Sequence, residues 1–112
     1  MAMTTEMDPA LAAALAALWQ KHLPLILERM AALDDAVHLA IEARLDGESQ
    51  AQAMSAAHKL AGVLGSFALA EGTDLAREAE GMLAPDAVIS EVESARLAAI
   101  AKELRAMIEN RK

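Results

Sequence analysis

Residues 23–42 read LPLILERMAALDDAVHLAIE, and the fold class follows from them. Leu23, Ile26, Met30, Leu33, Val37, Ala40 and Ile41 recur mostly at intervals of three and four, the spacing that aligns one apolar stripe along an α-helix. Glu28, Asp34, Asp35, His38 and Glu42 fall largely outside that stripe. The stretch is therefore a long amphipathic helix with one face to bury, and burying it requires other helices with stripes of their own.

Those helices are legible on both sides. Upstream, Asp8 followed by Pro9 has the form of an N-cap and first turn, and Leu11, Leu15, Leu18 and Trp19 follow at helical spacing. Pro24 lacks the N–H a helix interior needs, which predicts a break between Gln20 and Pro24 and hence a separate N-terminal helix. Downstream, Asp46-Gly47 punctuates the long helix, and a third begins near Glu48 with Ala53, Ala57, Leu60, Leu64 and Phe67 as its core stripe. Glu71-Gly72-Thr73 reads as a tight connection, with Thr73 as cap of a helix that turns Leu75, Ala76, Ala79 and Met82 inward and ends near Gly81 and Pro85. Ser90 and Glu93 have capping-box spacing ahead of Val92, Leu97, Ile100, Leu104 and Met107, in a final helix ending near Asn110. Short connections between long helices favour antiparallel neighbours. The expected fold is all-α: an antiparallel up-down-up-down four-helix bundle with an additional N-terminal helix, forming one domain over residues 1–112.

Composition agrees and excludes several alternatives. The chain of 112 residues has one Trp, one Phe and no Tyr, too few aromatics for a sheet protein rich in cross-strand pairs. Cysteine is absent, so packing alone holds the fold, and a cytoplasmic location is expected. The N-terminal MAMTTEMDPA has neither the basic flank nor the apolar core of a signal peptide, and charge interrupts the longer apolar runs, so no membrane association is expected. A formal charge of −7 without a basic cluster argues against a nucleic-acid partner, and an acidic surface favours a monomer.

The third helix carries the one unusual position. With His58 at zero on a wheel turning roughly 100° per residue, the core stripe centres roughly 140° away, so the imidazole points to solvent. Ala51, Met54, Ser55, Gly62 and Gly65 share its side, and all but Met54 are small. A glycine inside a helix costs about 1 kcal/mol relative to alanine, so two of them in the turns after an exposed histidine call for a reason. Close approach by another molecule supplies one. A neutral imidazole has a nitrogen lone pair that can attack phosphorus and hold a phosphoryl group.

The segment AAHKLAGVLGSFALAEGTDLAREAE resembles the signature of histidine-containing phosphotransfer domains, in which a His-x-Leu-Lys-Gly core sits on the second helix of a four-helix bundle. His58, Leu60 and Gly62 match that core, while Gly65, Leu75 and Glu80 agree with patterns in the family; the likeness spans about residues 20–110. Two positions depart from it: the family's lysine three residues after the histidine is Ala61, and a glycine often found ten residues after it is Ala68. With Ala61 in the lysine's place, Lys59 is the candidate to bring positive charge from the flank.

The resemblance implies a phosphoryl carrier without kinase activity of its own. His58 would be the phosphoacceptor, taking the group from a receiver-domain aspartate or a sensor or hybrid histidine kinase system and passing it to a response regulator. Lys59, Gly62, Gly65, Met54 and Ser55 are the expected supporting and docking residues. No cofactor is expected of this chain, since the receiver partner supplies Mg²⁺ and its acidic pocket; no Gly-rich phosphate loop is present. His22 and His38 have no comparable neighbourhood and read as solvated or capping residues, Asp34, Asp35, Glu78 and Glu80 read as solvated faces, and no His-x-x-x-His or Glu-x-x-His pair suggests a metal. Ala61 keeps a second reading open, a bundle that binds receivers or kinases without being phosphorylated.

Overall fold

Asp8 accepts a hydrogen bond from the Ala10 amide at 2.7 Å and Pro9 occupies the first turn, so the first helix starts where capping chemistry places it. The computed structural model describes residues 8–111. They form four helices with no strand among the described residues: α1, Pro9–Ile41; α2, Gly47–Ser66; α3, Ala70–Met82; α4, Glu91–Asn110.

The separate N-terminal helix does not exist. α1 runs unbroken for 33 residues with Pro24 inside it. Pro24 and Gln20, whose carbonyl loses its donor, both lie on the solvent side. The freed carbonyl is open to solvent there, while Trp19, Ile26 and Met30 on the opposite side hold both segments to the same core.

Each helix packs against two others, α2 between α1 and α3, and α4 between α3 and α1. The centre is filled by Trp19, Ile26, Met30, Leu33, Leu60, Leu64, Leu83, Leu97, Ile100 and Leu104, each essentially without solvent contact. Burying side chains of this size stabilises by about 1.5–3 kcal/mol apiece, which is what holds a chain with no disulfide. Four residues expected in the stripes are outside: Leu11 and Leu18, 53% and 44% exposed, lie in the N-terminal part of α1 ahead of Trp19, Ile41, 59% exposed, is the last residue of α1, and Val92, 79% exposed, sits in the first turn of α4, where the partner helices have ended.

Polar contacts fix how the helices meet. Ser94 near the start of α4 donates to the Ala40 carbonyl near the end of α1 at 3.3 Å, Arg105 ion-pairs with Asp34, and the Arg111 guanidinium lies 5.1 Å over the Trp19 ring. Gln50 on α2 donates to the Ala84 carbonyl at 2.8 Å and so holds the α3–α4 connection. Ser90 and Glu93 form the expected capping box, with both bonds at 3.2 Å.

The α1–α2 and α2–α3 connections are Schellman turns rather than the glycine and threonine punctuation read from the sequence. Arg44 donates to the Leu39 carbonyl and Ala43 to that of Ala40; Leu69 donates to Leu64 and Ala68 to Gly65. Asp46-Gly47 does not end α1 but starts α2, with Asp46 capping the Ser49 amide at 2.7 Å; that bond holds the Asp46 carboxyl below its usual range. Thr73 does not cap α3. It is buried in the first turns and donates to the Ala61 carbonyl of α2 at 3.0 Å.

Both turns place alanine where glycine is favoured, Ala43 at φ 57° and Ala68 at φ 61°. A Cβ in the left-handed region costs about 1–2 kcal/mol. Ala68→Gly should relieve most of that and raise stability by about 1 kcal/mol net of the extra chain entropy of glycine, measured as a higher denaturation midpoint at unchanged m-value.

Candidate functional site

His58 lies in the middle of α2, held there by Ala57 and Leu60, whose side chains are buried on the opposite face. Its own side chain is 73% exposed. The ring is nevertheless oriented: Nδ1 lies 2.9 Å from Oε2 of Glu80 on α3, a carboxylate with 32% of its side chain exposed. A carboxylate accepts, so the imidazole donates through Nδ1–H. In the neutral ring that leaves Nε2 carrying the lone pair.

α2 and α3 border a cleft of about 570 Å³ lined by Met54, His58, Ala61 and Gly62 from α2, and by Arg77 and Glu80 among others from α3. Of the residues expected around the histidine, Met54 is half-buried and packs against the core edge, while Ser55 and Lys59 are exposed on α2 outside the cleft lining. Ala61 is 5% exposed, and its carbonyl is taken by Thr73.

The two glycines after His58 have different reasons. A Cβ built at Gly62 meets nothing within 4 Å, so no packing inside the chain requires glycine there. At Gly65 a Cβ would stand 3.3 Å from Thr73 Oγ1, which makes that glycine a close-approach point between α2 and α3 rather than clearance alone. Gly72 plays the corresponding part from α3, where a Cβ would lie 3.1 Å from Leu64 Cδ1.

The two glutamates read from sequence as solvated have distinct partners. Arg96 on α4 donates to Glu78 through Nε at 2.6 Å and an Nη at 2.7 Å, and these hydrogen bonds hold the Glu78 carboxyl below its usual range and raise Arg96 above its own. Glu78 is thus turned to α4, and Glu80 to His58. Asp34, also read as solvated, is paired with Arg105. Arg77 and the His58 contact of Glu80 were not found as site features in the sequence. The signal available was spacing: Arg77, Glu80, Gly81 and Ala84 recur at three, four and seven residues and so share one face of the α3 segment.

His22 stands edge-on to Phe67 with ring centroids 6.2 Å apart, and His38 is exposed in the last turn of α1. Among the described residues no group of three or more His, Asp or Glu side chains converges in a way that would hold a metal.

No family model matches the chain, and neither the curated proteins nor the solved structures give a match.

Proposed function

We propose that the chain is a histidine phosphotransfer carrier, with His58 as phosphoacceptor between a receiver-domain aspartate or histidine kinase system and a response regulator. One observation carries the reading: an exposed imidazole whose Nδ1 faces a carboxylate at 2.9 Å, so that the nucleophilic nitrogen is the outward one. The resemblance of the HKLAG segment to phosphotransfer domains and the all-helical fold support it. The Ala40–Ser94, Asp34–Arg105 and Trp19–Arg111 contacts, with the short connections, support the up-down-up-down arrangement of that family.

In the forward step the Nε2 lone pair attacks the phosphorus of the receiver's acyl phosphate. The N–P bond forms as the P–O bond to the aspartate breaks, and the electron pair leaves with the carboxylate. No proton need move: Nδ1 keeps its hydrogen, and the positive charge that develops on the ring is met by Glu80. Mg²⁺ would belong to the receiver. Arg77, lining the same cleft, provides cationic charge near the phosphoryl group where the family's lysine is replaced by Ala61, with Lys59 beside the histidine on α2. Gly62 leaves room for the incoming domain. Such partners would place the protein in the cytoplasm.

Mixing the chain with a phosphorylated receiver and Mg²⁺ tests the reading. Acid-labile phosphate should appear on wild type and be absent from His58→Gln. Gly62→Leu should slow transfer at least about tenfold, while Gly62→Ala leaves the fold intact and adds up to about 1 kcal/mol of stability. Ala61 favours one alternative, an adaptor that binds receivers without accepting phosphate. A wild type that binds a receiver yet stays unmodified across a broad panel decides for the adaptor.

A further inference from the structure

From Pro9 to Gln20 the chain reads PALAAALAALWQ, twelve helical residues without a charge. α1 has 33 residues against 20 in α2 and in α4, and its first buried residue is Trp19. The ten helical residues before it run on for about 15 Å, at 1.5 Å per residue, and all of them but the half-buried Leu15 and Ala16 are exposed. Helices that are apolar all round are normally buried, but here Leu11 is 53% and Leu18 44% exposed. The acidic surface that argues for a monomer stops short of this segment.

We propose that a second copy of the chain covers this segment, in an antiparallel two-fold pairing. Leu11, Leu15 and Leu18 are spaced four and three apart, the spacing of a coiled-coil seam, and the alanines between them let two helices approach closely. With one helix reversed and the axis passing between Ala14 and Leu15, Leu11 opposes the second copy's Leu18 and the two Leu15 side chains meet beside the axis. The tip at Pro9 is then level with the second copy's Gln20, one residue beyond Trp19.

Two ten-residue helices bury well under the about 800 Å² per partner of a standard interface, so these segments alone are too small. The root of the segment offers the remainder. There the Trp19 and Phe67 rings meet edge-to-face at 5.1 Å, and a groove of about 710 Å³ opens beside them. Phe67, Leu69 and Met107 form its apolar lining, with Glu71, Glu103 and Arg111 also around it. The second copy's helix tip reaches this end of the bundle, bringing its positive dipole end toward Glu71 and Glu103 and its Asp8 toward Arg111. Two-fold symmetry makes each such contact twice.

A lipid surface is the competing apolar partner. α1 is long and apolar enough by length and composition to cross a membrane, with a mean hydropathy of 1.4 over its best window. The exposed segment, however, is about half of the ~30 Å hydrocarbon thickness. It also has no Lys or Arg before Lys21 to anchor it among headgroups, and a chain of formal charge −7 is repelled by anionic lipid.

Sedimentation equilibrium of the full chain between about 5 and 500 µM, the range in which a small interface dissociates, should show the mass rising from one chain toward two. Leu11→Glu with Leu18→Glu touches no core residue; it should keep the helical circular dichroism and raise the dimer dissociation constant at least about tenfold. Because the chain has no cysteine, Leu15→Cys should oxidise to a covalent dimer while Ala13→Cys, on the far side of the helix, does not. A wild type that stays one chain throughout, equal crosslinking at both positions, or a monomer that instead floats with phosphatidylcholine–phosphatidylserine vesicles would overturn the proposal.

Discussion

A chain carrying Glu80→Ala should take up phosphoryl groups on the order of a hundredfold more slowly than wild type, with helicity and thermal midpoint nearly unchanged. The stability side follows from exposure: a hydrogen bond whose histidine is 73% exposed contributes little to folding. The rate side follows from geometry. Without an acceptor 2.9 Å from Nδ1, the ring is free to rotate and to place its hydrogen on Nε2, which removes the lone pair from the outward nitrogen. Glu80 would also face the positive charge that forms on the ring in the proposed transfer. Glu80→Gln separates the two contributions, because its amide oxygen still accepts the Nδ1 hydrogen but has no charge to offer. Its rate should fall between wild type and Glu80→Ala. Initial rates of uptake from a phosphorylated receiver check this; three equal rates would reduce the contact to a surface pair with no part in transfer.

The largest stability effect should come from the opposite side of the same helix. Leu64 is fully buried, and its side chain fills the space left by Gly72 on α3. Leu64→Ala should cost about 2–5 kcal/mol, the lost transfer energy plus that of the cavity, because two close-packed helices relax only partly into the gap. That is a large share of the about 5–15 kcal/mol by which domains are stable, so the urea midpoint should drop steeply. A loss under about 1 kcal/mol would mean that α2 and α3 collapse freely onto the void. α2 is thus asked to be rigid on one face so that His58 can be open on the other.

Where the sequence was informative, the reason is periodicity. The stripes through Ile26, Met30 and Leu33, through Ala53, Leu60 and Leu64, and through Leu97, Ile100 and Leu104 predicted the core because each repeats over several turns. The Ser90–Glu93 capping box was legible because its two side chains bond only to their own backbone neighbourhood. The errors came where tertiary context outweighs a local rule. Pro24 reads as a helix breaker, yet Trp19 and Ile26 on the buried face fix the helix across it and the freed carbonyl is open to solvent. Ala43 and Ala68 carry left-handed backbone that no propensity assigns to alanine, which displaced the end of α1 and the start of α3.

The site divides in the same way. His58 and its exposure follow from one helix wheel. Its partner does not, because Glu78 and Glu80 are both polar positions on α3 and only the packing of α3 between α2 and α4 decides which faces the histidine and which faces Arg96. Gly62 and Gly65 are equivalent on the wheel and differ only once Thr73 is brought beside Gly65.

In the proposed carrier the outward imidazole nitrogen of His58 is the phosphoryl-accepting atom. Phosphorylating the chain with phosphoramidate, which needs no protein partner, and reading the product by phosphorus and nitrogen NMR tests it directly. One acid-labile N–P species, bonded at Nε2, should be present in wild type and missing from His58→Gln. No phosphorylation at His58, attachment through Nδ1, or labelling of His22 or His38 to the same extent would contradict it.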